Sequence, residues 1–286
     1  MTTAQPIFIL SAPRSGSTLL RVMLAGHPKL FCPPELNLAQ FDFMGDRETV
    51  LGPCPHTACQ AHKCDQRIGL LRGLVELEKS ANGGGSDLLT TWLERNEPVH
   101  SVYDVLAGLA APQRLVDKSP LYSAKFETMA RIDRLFPFAQ YIYIHRHPYA
   151  VMESLVRNGF EKSMDRAEDV WLLRNENIQK FLASIENTRQ IRIAYEVLVE
   201  KPEETMRSIA SFLQIEFHPA LLNPYEGSRM TDGVQEGHMP PGDANFLNHK
   251  GIEARLGAVW RAIDIPKPLG VNTCRVGAEL KYDLPN

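Results

Sequence analysis

PIFILSAPRSGSTLLRVMLAG, residues 6–26, is the stretch on which the fold turns. Pro6–Leu10 is a short apolar run, which predicts a buried strand. SAPRSGS is turn-rich, and TLLRVMLAG has apolar residues at helical spacing closing near Gly26. A strand, a tight loop and a helix in that order form the first unit of an α/β sheet. Gly16 allows the sharp turn, and the amides of Ser15, Gly16, Ser17, Thr18 and Leu19 then face one concavity. Such a nest at a helix N-terminus binds phosphate or sulfate through oriented N–H groups and the helix dipole. Arg14 adds a fixed positive fork, and Ser17 and Thr18 add hydroxyls. The plainer reading is a strand–helix turn with Ser17 as N-cap. An arginine inside the loop favours the anion. No Lys follows Gly16 and no glycine stands at the required spacing upstream, so the G-x4-G-K-[ST] loop of ATP and GTP hydrolases is absent.

Outward from this unit the strand–helix alternation continues. Arg67–Ala81, Asp87–Glu97 and Ser101–Ala111 read as helices, and RLVDK (Arg114–Lys118) as a short strand. Phe126–Phe136 is helical, and QYIYIHR (Gln140–Arg146) is the clearest strand in the chain. A helix opened by Pro148 runs to Gly159. Glu168–Glu186 is amphipathic, with Val170, Leu173, Phe181, Leu182 and Ile185 on its apolar side. RIAYEVLV (Arg192–Val199) begins as a strand, and Pro202 opens a further helix. The segment from Leu30 to about Asp65 has little predicted regular structure. So has the tail after about Leu222, except for a helix around Glu253–Ala262. Short strands separated by helices imply parallel pairing through right-handed crossovers. The expected class is therefore α/β: a P-loop-like parallel sheet flanked by helices, in one domain over residues 1–286.

Composition narrows the function. Of 286 residues 44% are hydrophobic and 23% charged, with net charge −3, which excludes collagenous and disordered chains. The slight acidic excess argues against a general nucleic-acid binder. No apolar run approaches the roughly 18–20 residues of a membrane helix, and no signal peptide is visible, so cytoplasmic localisation is the expectation. Three of the five cysteines, Cys54, Cys59 and Cys64, cluster with His56 and His62. Their spacing matches no common zinc framework and reads as a thiol-bearing loop, so no metal site is expected.

A second anion-binding element follows the best strand. Arg146 stands at its carboxyl end, where ligands collect in open α/β sheets, and Ser154 lies two helical turns on. A pairing of Arg146 with a nearby carboxylate is the plainer alternative. His145 and His147 flank Arg146 and are read as shaping that turn.

With these residues in hand the chain resembles the sulfotransferase family. SAPRSGSTLL resembles its 5′-phosphosulfate loop, and Arg146 with Ser154 its 3′-phosphate motif. YEVLVEKP looks like its Tyr-Glu-x-Leu-Val segment, where Tyr195 lies near the nucleotide, and NHKG (Asn248–Gly251) stands where the family has a late Lys/Gly loop closing over the cofactor. PPELNL (Pro33–Leu38), WLERNEPVHSVYDVL and VDKSPLY (Val116–Tyr122) are similar to the sulfotransferase domains of modular polyketide and olefin synthases of the curacin type.

That resemblance implies the sulfotransferase fold, with helical insertions over the acceptor pocket, and is compatible with a domain excised from a multidomain synthase. It implies 3′-phosphoadenosine 5′-phosphosulfate (PAPS) as cofactor, 3′-phosphoadenosine 5′-phosphate (PAP) as product, and no metal. The acceptor would be a β-hydroxyacyl chain on the phosphopantetheine of an acyl carrier protein. A downstream thioesterase would then release a terminal alkene. Arg14, Ser15, Gly16, Ser17, Thr18, Leu19, Arg146, Ser154, Tyr195, Lys250 and Gly251 would bind the nucleotide. Glu35 would act as general base, Lys118 would stabilise the leaving phosphate, and Arg14 would hold the phosphosulfate. His249 is the alternative base. Plainer fates are helix capping for Glu35 and a surface pair with Asp117 for Lys118. Arg157 and Arg174 could reach a phosphopantetheine phosphate, but read first as a solvated helix face. Competing functions are a sulfotransferase for another alcohol, a carbohydrate or a protein tyrosine, a P-loop kinase, and a non-catalytic module that docks a carrier protein.

Overall fold

The protein is described from a computed structural model covering residues 5–52, 67–81, 85–226, 246, 249–263 and 268–284. The cysteine cluster at Cys54, Cys59 and Cys64, and Asn248 of the late loop, lie outside the described residues.

The strand expected at the start of the chain is β1 (Ile7–Leu10), buried throughout. It lies between β3 (Arg114–Lys118) and β4 (Gln140–His145). β2 (Leu30–Phe31) pairs outside β3, and β5 (Gln190–Ala194) outside β4. All pairings are parallel, in the order β2–β3–β1–β4–β5. Alternation along the two central strands divides the apolar side chains between two faces. Ile7, Ile9, Val116, Ile142 and Ile144 face α1 (Ser17–Leu24) and α10 (Pro202–Leu213). Phe8, Leu10, Tyr141 and Tyr143 face α6 (Phe126–Leu135) and α8 (Met164–Leu182). The buried phenols of Tyr141 and Tyr143 donate to Asp133 Oδ1 (3.0 Å) and Asn175 Oδ1 (2.6 Å), as burial of a polar group demands.

Where the fold departs from expectation the causes are local. Residues 32–65 hold a helix after all, α2 (Met44–Leu51), whose buried Arg47 donates to the carbonyls of Leu36 (3.1 Å) and Arg67 (2.7 Å). Its apolar content is too low to show periodicity. The strand begun at residue 190 turns into a short helix, α9 (Tyr195–Glu200), so only the first part of Arg192–Val199 is strand. The helix expected at Glu253–Ala262 is two 3-10 turns, Ala254–Gly257 and Val259–Ala262. The tail carries a true helix later, α11 (Val271–Glu279). α8 begins at Met164 rather than Glu168, and its buried stripe runs through Ala167, Trp171, Ile178 and Phe181. Leu173 falls off that stripe and is 50% exposed. The helices at α3 (Ile68–Ala81), α4 (Gly85–Glu94), α5 (Val99–Ala110) and α7 (Pro148–Arg157) stand where the sequence put them, within a few residues. None of the described helices is long and apolar enough to cross a membrane.

Candidate active site

The carboxyl ends of β1, β3 and β4 meet on one edge of the sheet, and the predicted residues divide there into two groups. The first is the loop after β1. Arg14 and Gly16 both take left-handed backbone conformations (φ 64° and 87°), so the loop doubles back on itself before α1. Gly16 is the N-cap of α1 and no side chain caps it. The N-cap reading of Ser17 is therefore overturned: Ser17 is the first helical residue, and the leading N–H groups of α1 are left to whatever the loop binds. The Ser15 hydroxyl is fully buried without a hydrogen-bond partner. Gly16 is required sterically, since a Cβ there would lie 2.2 Å from Tyr195 Cδ2.

Tyr195, at the start of α9, lies between the loop and Arg146. The Arg146 guanidinium sits 4.2 Å from the Tyr195 ring centroid, a cation–π contact. Burial raises the Tyr195 phenol above its ordinary pKa, with the Arg146 charge opposing. Arg146 Nη1 donates to the carbonyl of Arg14 at 3.2 Å, and its buried Nε has no partner. No carboxylate pairing of Arg146 is found among the described contacts. Arg14 Nε donates to Ser154 Oγ at 3.1 Å. Arg14, Gly16, Arg146, Ser154 and Tyr195 thus form one cationic cradle containing two buried polar atoms with nothing to bind. That is the chemistry an anionic nucleotide needs, so the residues present fit PAPS or PAP.

Two histidines and a glutamate hold this cradle from behind. Glu196 Oε1 accepts from the backbone N–H of His147 (2.9 Å), and its Oε2 from Tyr282 (3.1 Å). His145 Nδ1 meets the same Tyr282 hydroxyl at 2.7 Å. The His147 ring stacks on Trp260 at 3.9 Å. Burial pushes both imidazoles down to about 4 and raises the Glu196 carboxyl. The two histidines do shape the Arg146 turn. Glu196, Trp260 and Tyr282 were missed as supports, and only the Tyr-Glu pair of the 195–202 segment signalled any of them.

The second group surrounds Lys118, the last residue of β3, paired in register with Ile9. Its side chain is 5% exposed, and Nζ donates to Glu35 Oε1 at 2.5 Å and to Thr18 Oγ1 at 3.5 Å. The surface pair with Asp117 is overturned: Asp117 is fully buried and bonded to hydroxyls. Glu35 caps no helix, because the chain stays irregular until α2. Its side chain is 41% exposed. The Glu35 backbone is pressed against α3, where a Cβ on Gly69 would fall 1.8 Å from the Glu35 carbonyl oxygen.

The remaining candidates stand apart from Lys118 and Glu35. His249 Nδ1 pairs with Glu253 Oε1 at 2.6 Å, four residues on. Lys250 is exposed and Gly251 half-buried. The segment they open packs on α9, with a Cβ at Gly257 falling 3.1 Å from Val199 Cγ2. Arg157 lies on a solvated face, paired with Glu153 at 3.0 Å. Arg174 does not: it is partly buried and donates to the carbonyls of Pro120 (3.4 Å) and Leu121 (3.3 Å). Among the described residues no group of three or more His, Cys, Asp or Glu is placed to hold a metal.

The sulfotransferase family profile matches residues 6–219 of the chain, spanning every element of both groups except the late loop and tail. The sulfotransferase domain from the curacin biosynthetic pathway is 39% identical and superimposes with a TM-score of 0.88, each chain covered in full. The sulfotransferase domain of the Synechococcus PCC 7002 olefin synthase is also 39% identical, with a TM-score of 0.87 over 100% of this chain and 98% of that one. A putative protein-tyrosine sulfotransferase of Caenorhabditis briggsae is 26% identical over 78% of this chain and 70% of its own length. The nodulation protein NoeE of Sinorhizobium fredii is 25% identical over 97% of this chain, which spans 65% of that protein.

Proposed function

Because the chain belongs to the sulfotransferase family, we propose that it moves the sulfuryl group of PAPS onto the β-hydroxyl of an acyl chain carried by an acyl carrier protein. The observation that carries this reading is the Glu35–Lys118 pair at 2.5 Å, beside Thr18 of the anion loop. A carboxylate, a buried ammonium and an anion cradle stand in contact, in the order that in-line transfer to an alcohol needs.

PAPS, when bound, supplies the sulfuryl group and, in PAP, its leaving group. The loop amides from Ser15 to Leu19, with the buried Ser15 hydroxyl, hold the 5′ end. Arg146, Ser154 and Tyr195 hold the nucleotide's other anionic group, and Lys250 with Gly251 close over it. Arg14, bonded to Ser154, ties the two ends of the cradle together. Glu35 Oε accepts the proton of the acceptor hydroxyl, since its exposed carboxylate is the basic group facing solvent beside the loop. Lys118 Nζ, buried between Glu35 and Thr18, places a fixed positive charge where negative charge develops, in surroundings of low dielectric where it counts most. His249, bonded to Glu253, is the weaker choice for the base.

The carrier-bound substrate is supported by the 39% identity to the curacin and olefin synthase domains over the full chain. On that reading the sulfate is a leaving group, lost with carbon dioxide when a downstream thioesterase forms a terminal alkene. A second acceptor class, protein tyrosine, is favoured by the matches to tyrosine sulfotransferases at 24–28% identity. The test is mass spectrometry after incubation with PAPS. A gain of one sulfate on a β-hydroxyacyl carrier protein, and none on a tyrosine peptide, is expected. The reverse pattern replaces the acceptor, and thermal stabilisation by ATP but not PAP replaces the family chemistry.

A further inference from the structure

Glu35 lies in irregular chain, and something must hold that chain against Lys118. The fully buried carboxylate of Asp117 stands directly before Lys118 and accepts three hydroxyls. Ser119 Oγ donates to Oδ1 at 2.8 Å, Tyr122 donates to Oδ2 at 2.7 Å, and Tyr103 donates to the same Oδ2. A carboxylate only accepts, so each hydroxyl bonded to it spends its single proton there and must use its lone pairs elsewhere. Two of them do so on the Glu35 segment. Ser119 Oγ accepts the N–H of Asn37 at 3.1 Å, and Tyr122 accepts the N–H groups of Leu38 (3.1 Å) and Ala39 (3.2 Å). Three successive amides just after Glu35 are thereby captured by hydroxyls whose direction Asp117 dictates. Tyr103 differs: its hydroxyl reaches Asp117 and approaches the Tyr122 hydroxyl at 3.3 Å, and among the described residues it makes no bond to the Glu35 segment.

We propose that Asp117 is a positioning residue of the transfer step, which through Ser119 and Tyr122 holds the segment carrying Glu35 in register with Lys118. Burial raises the Asp117 carboxyl while the three hydroxyls oppose that shift, and burial beside Asp117 raises both phenols well above their ordinary range. The phenols therefore stay protonated donors, as the polarity requires. An amide at position 117 would put N–H donors where one oxygen now accepts, so the hydroxyl facing it would lose its acceptor and its proton would have to turn elsewhere. Because β3 carries Asp117 and Lys118 consecutively, one strand aims both the ammonium and the carboxylate that meets it.

The proposal rests on Glu35 as base, and the experiment separates the two. Tyr122→Phe, Ser119→Ala, Asp117→Asn, Tyr103→Phe and Glu35→Gln are compared for PAP affinity, for kcat and KM on the acceptor the native protein sulfates, and for amide hydrogen exchange. Tyr122→Phe is expected to lower kcat about tenfold or more. Its PAP affinity should stay within about twofold, and exchange at Leu38 and Ala39 should accelerate. Ser119→Ala should accelerate exchange at Asn37, which serves if Asp117→Asn fails to fold. Tyr103→Phe, which loses a buried hydroxyl without losing a hold on the segment, should keep both kcat and exchange near native. Equal effects of Tyr103→Phe and Tyr122→Phe would mean general loosening of the core and overturn the proposal. Unchanged kcat in Tyr122→Phe beside an inactive Glu35→Gln overturns the positioning role alone. An active Glu35→Gln removes the base assignment and the proposal with it, whatever the exchange data show.

Discussion

The two halves of the site spend their hydrogen bonds differently. In the cradle of Arg14, Gly16, Arg146, Ser154 and Tyr195, polar atoms are left without partners: Ser15 Oγ and Arg146 Nε are buried and unbonded. Beside Glu35 and Lys118 the Asp117 carboxylate takes three hydroxyls, and two of those hydroxyls in turn hold backbone amides of the Glu35 segment. The lesson is a division of labour. A nucleotide site keeps its hydrogen-bonding capacity unspent for a ligand that brings several anionic oxygens. On the proposed reading Glu35 and Lys118 need their geometry set before the acceptor arrives, and the bonds around Asp117 are spent on that rigidity.

If that division is right, variants in the two halves separate kinetically. The largest effect is expected for Glu35→Gln, with turnover down about 100-fold or more and PAP binding by calorimetry unchanged. Near-native turnover would break the comparison on the acceptor side. Arg146→Ala should do the opposite, weakening PAP about thirtyfold or more through loss of a partly buried charge, while kcat at saturating nucleotide falls less. An unchanged PAP affinity would take Arg146 out of the cradle. Gly16→Ala is next: a side chain at φ 87° against the Tyr195 ring should weaken PAP about tenfold and lower Tm by a few degrees.

The smallest effect sharpens the comparison through pH. His147 is held neutral, its folded pKa of about 4 lying below the ordinary 6.5. A depressed histidine gives stability that is present above pH 6.5 and lost as the pH falls, because the unfolded chain takes up the proton first. Glu196, raised by burial, works in the opposite sense. Substituting His147→Asn should therefore flatten the acid-side loss of stability by about 1.2 kcal/mol between pH 6 and 5. Urea titrations at those two pH values measure it. An unchanged slope would mean that the ring is not held neutral behind the cradle.

Much of the cradle was legible in the sequence because each member belongs to a short motif with its own local reason. Gly16 marks the turn, Arg146 ends the strongest strand, and Pro148 starts the helix that carries Ser154. The other half was legible only as residue types. Glu35 is singled out by resemblance alone, since no periodicity marks its segment, and for Lys118 the sequence leaves a surface pair with Asp117 as an alternative. Arg174, read as solvated, instead binds the carbonyls just beyond β3, since α8 packs there on the 3-10 turn Pro120–Ala124. The helix α2 was missed because Arg47, the residue that anchors it, is a charge in the core.

The sequence by itself determined the strand–loop–helix unit at residues 6–26, the parallel α/β class and the sharp glycine turn of the first loop. Those follow from backbone rules that act over a few residues: apolar run, glycine turn, helical spacing. Only the tertiary structure decided that Lys118 meets Glu35, that Asp117 is a hub of hydroxyls, and that Tyr195 lies between Gly16 and Arg146. These contacts join residues up to about 180 positions apart, counting from Gly16 to Tyr195. Their geometry depends on strand order and on where each buried hydrogen bond finds its partner, and a linear pattern carries neither.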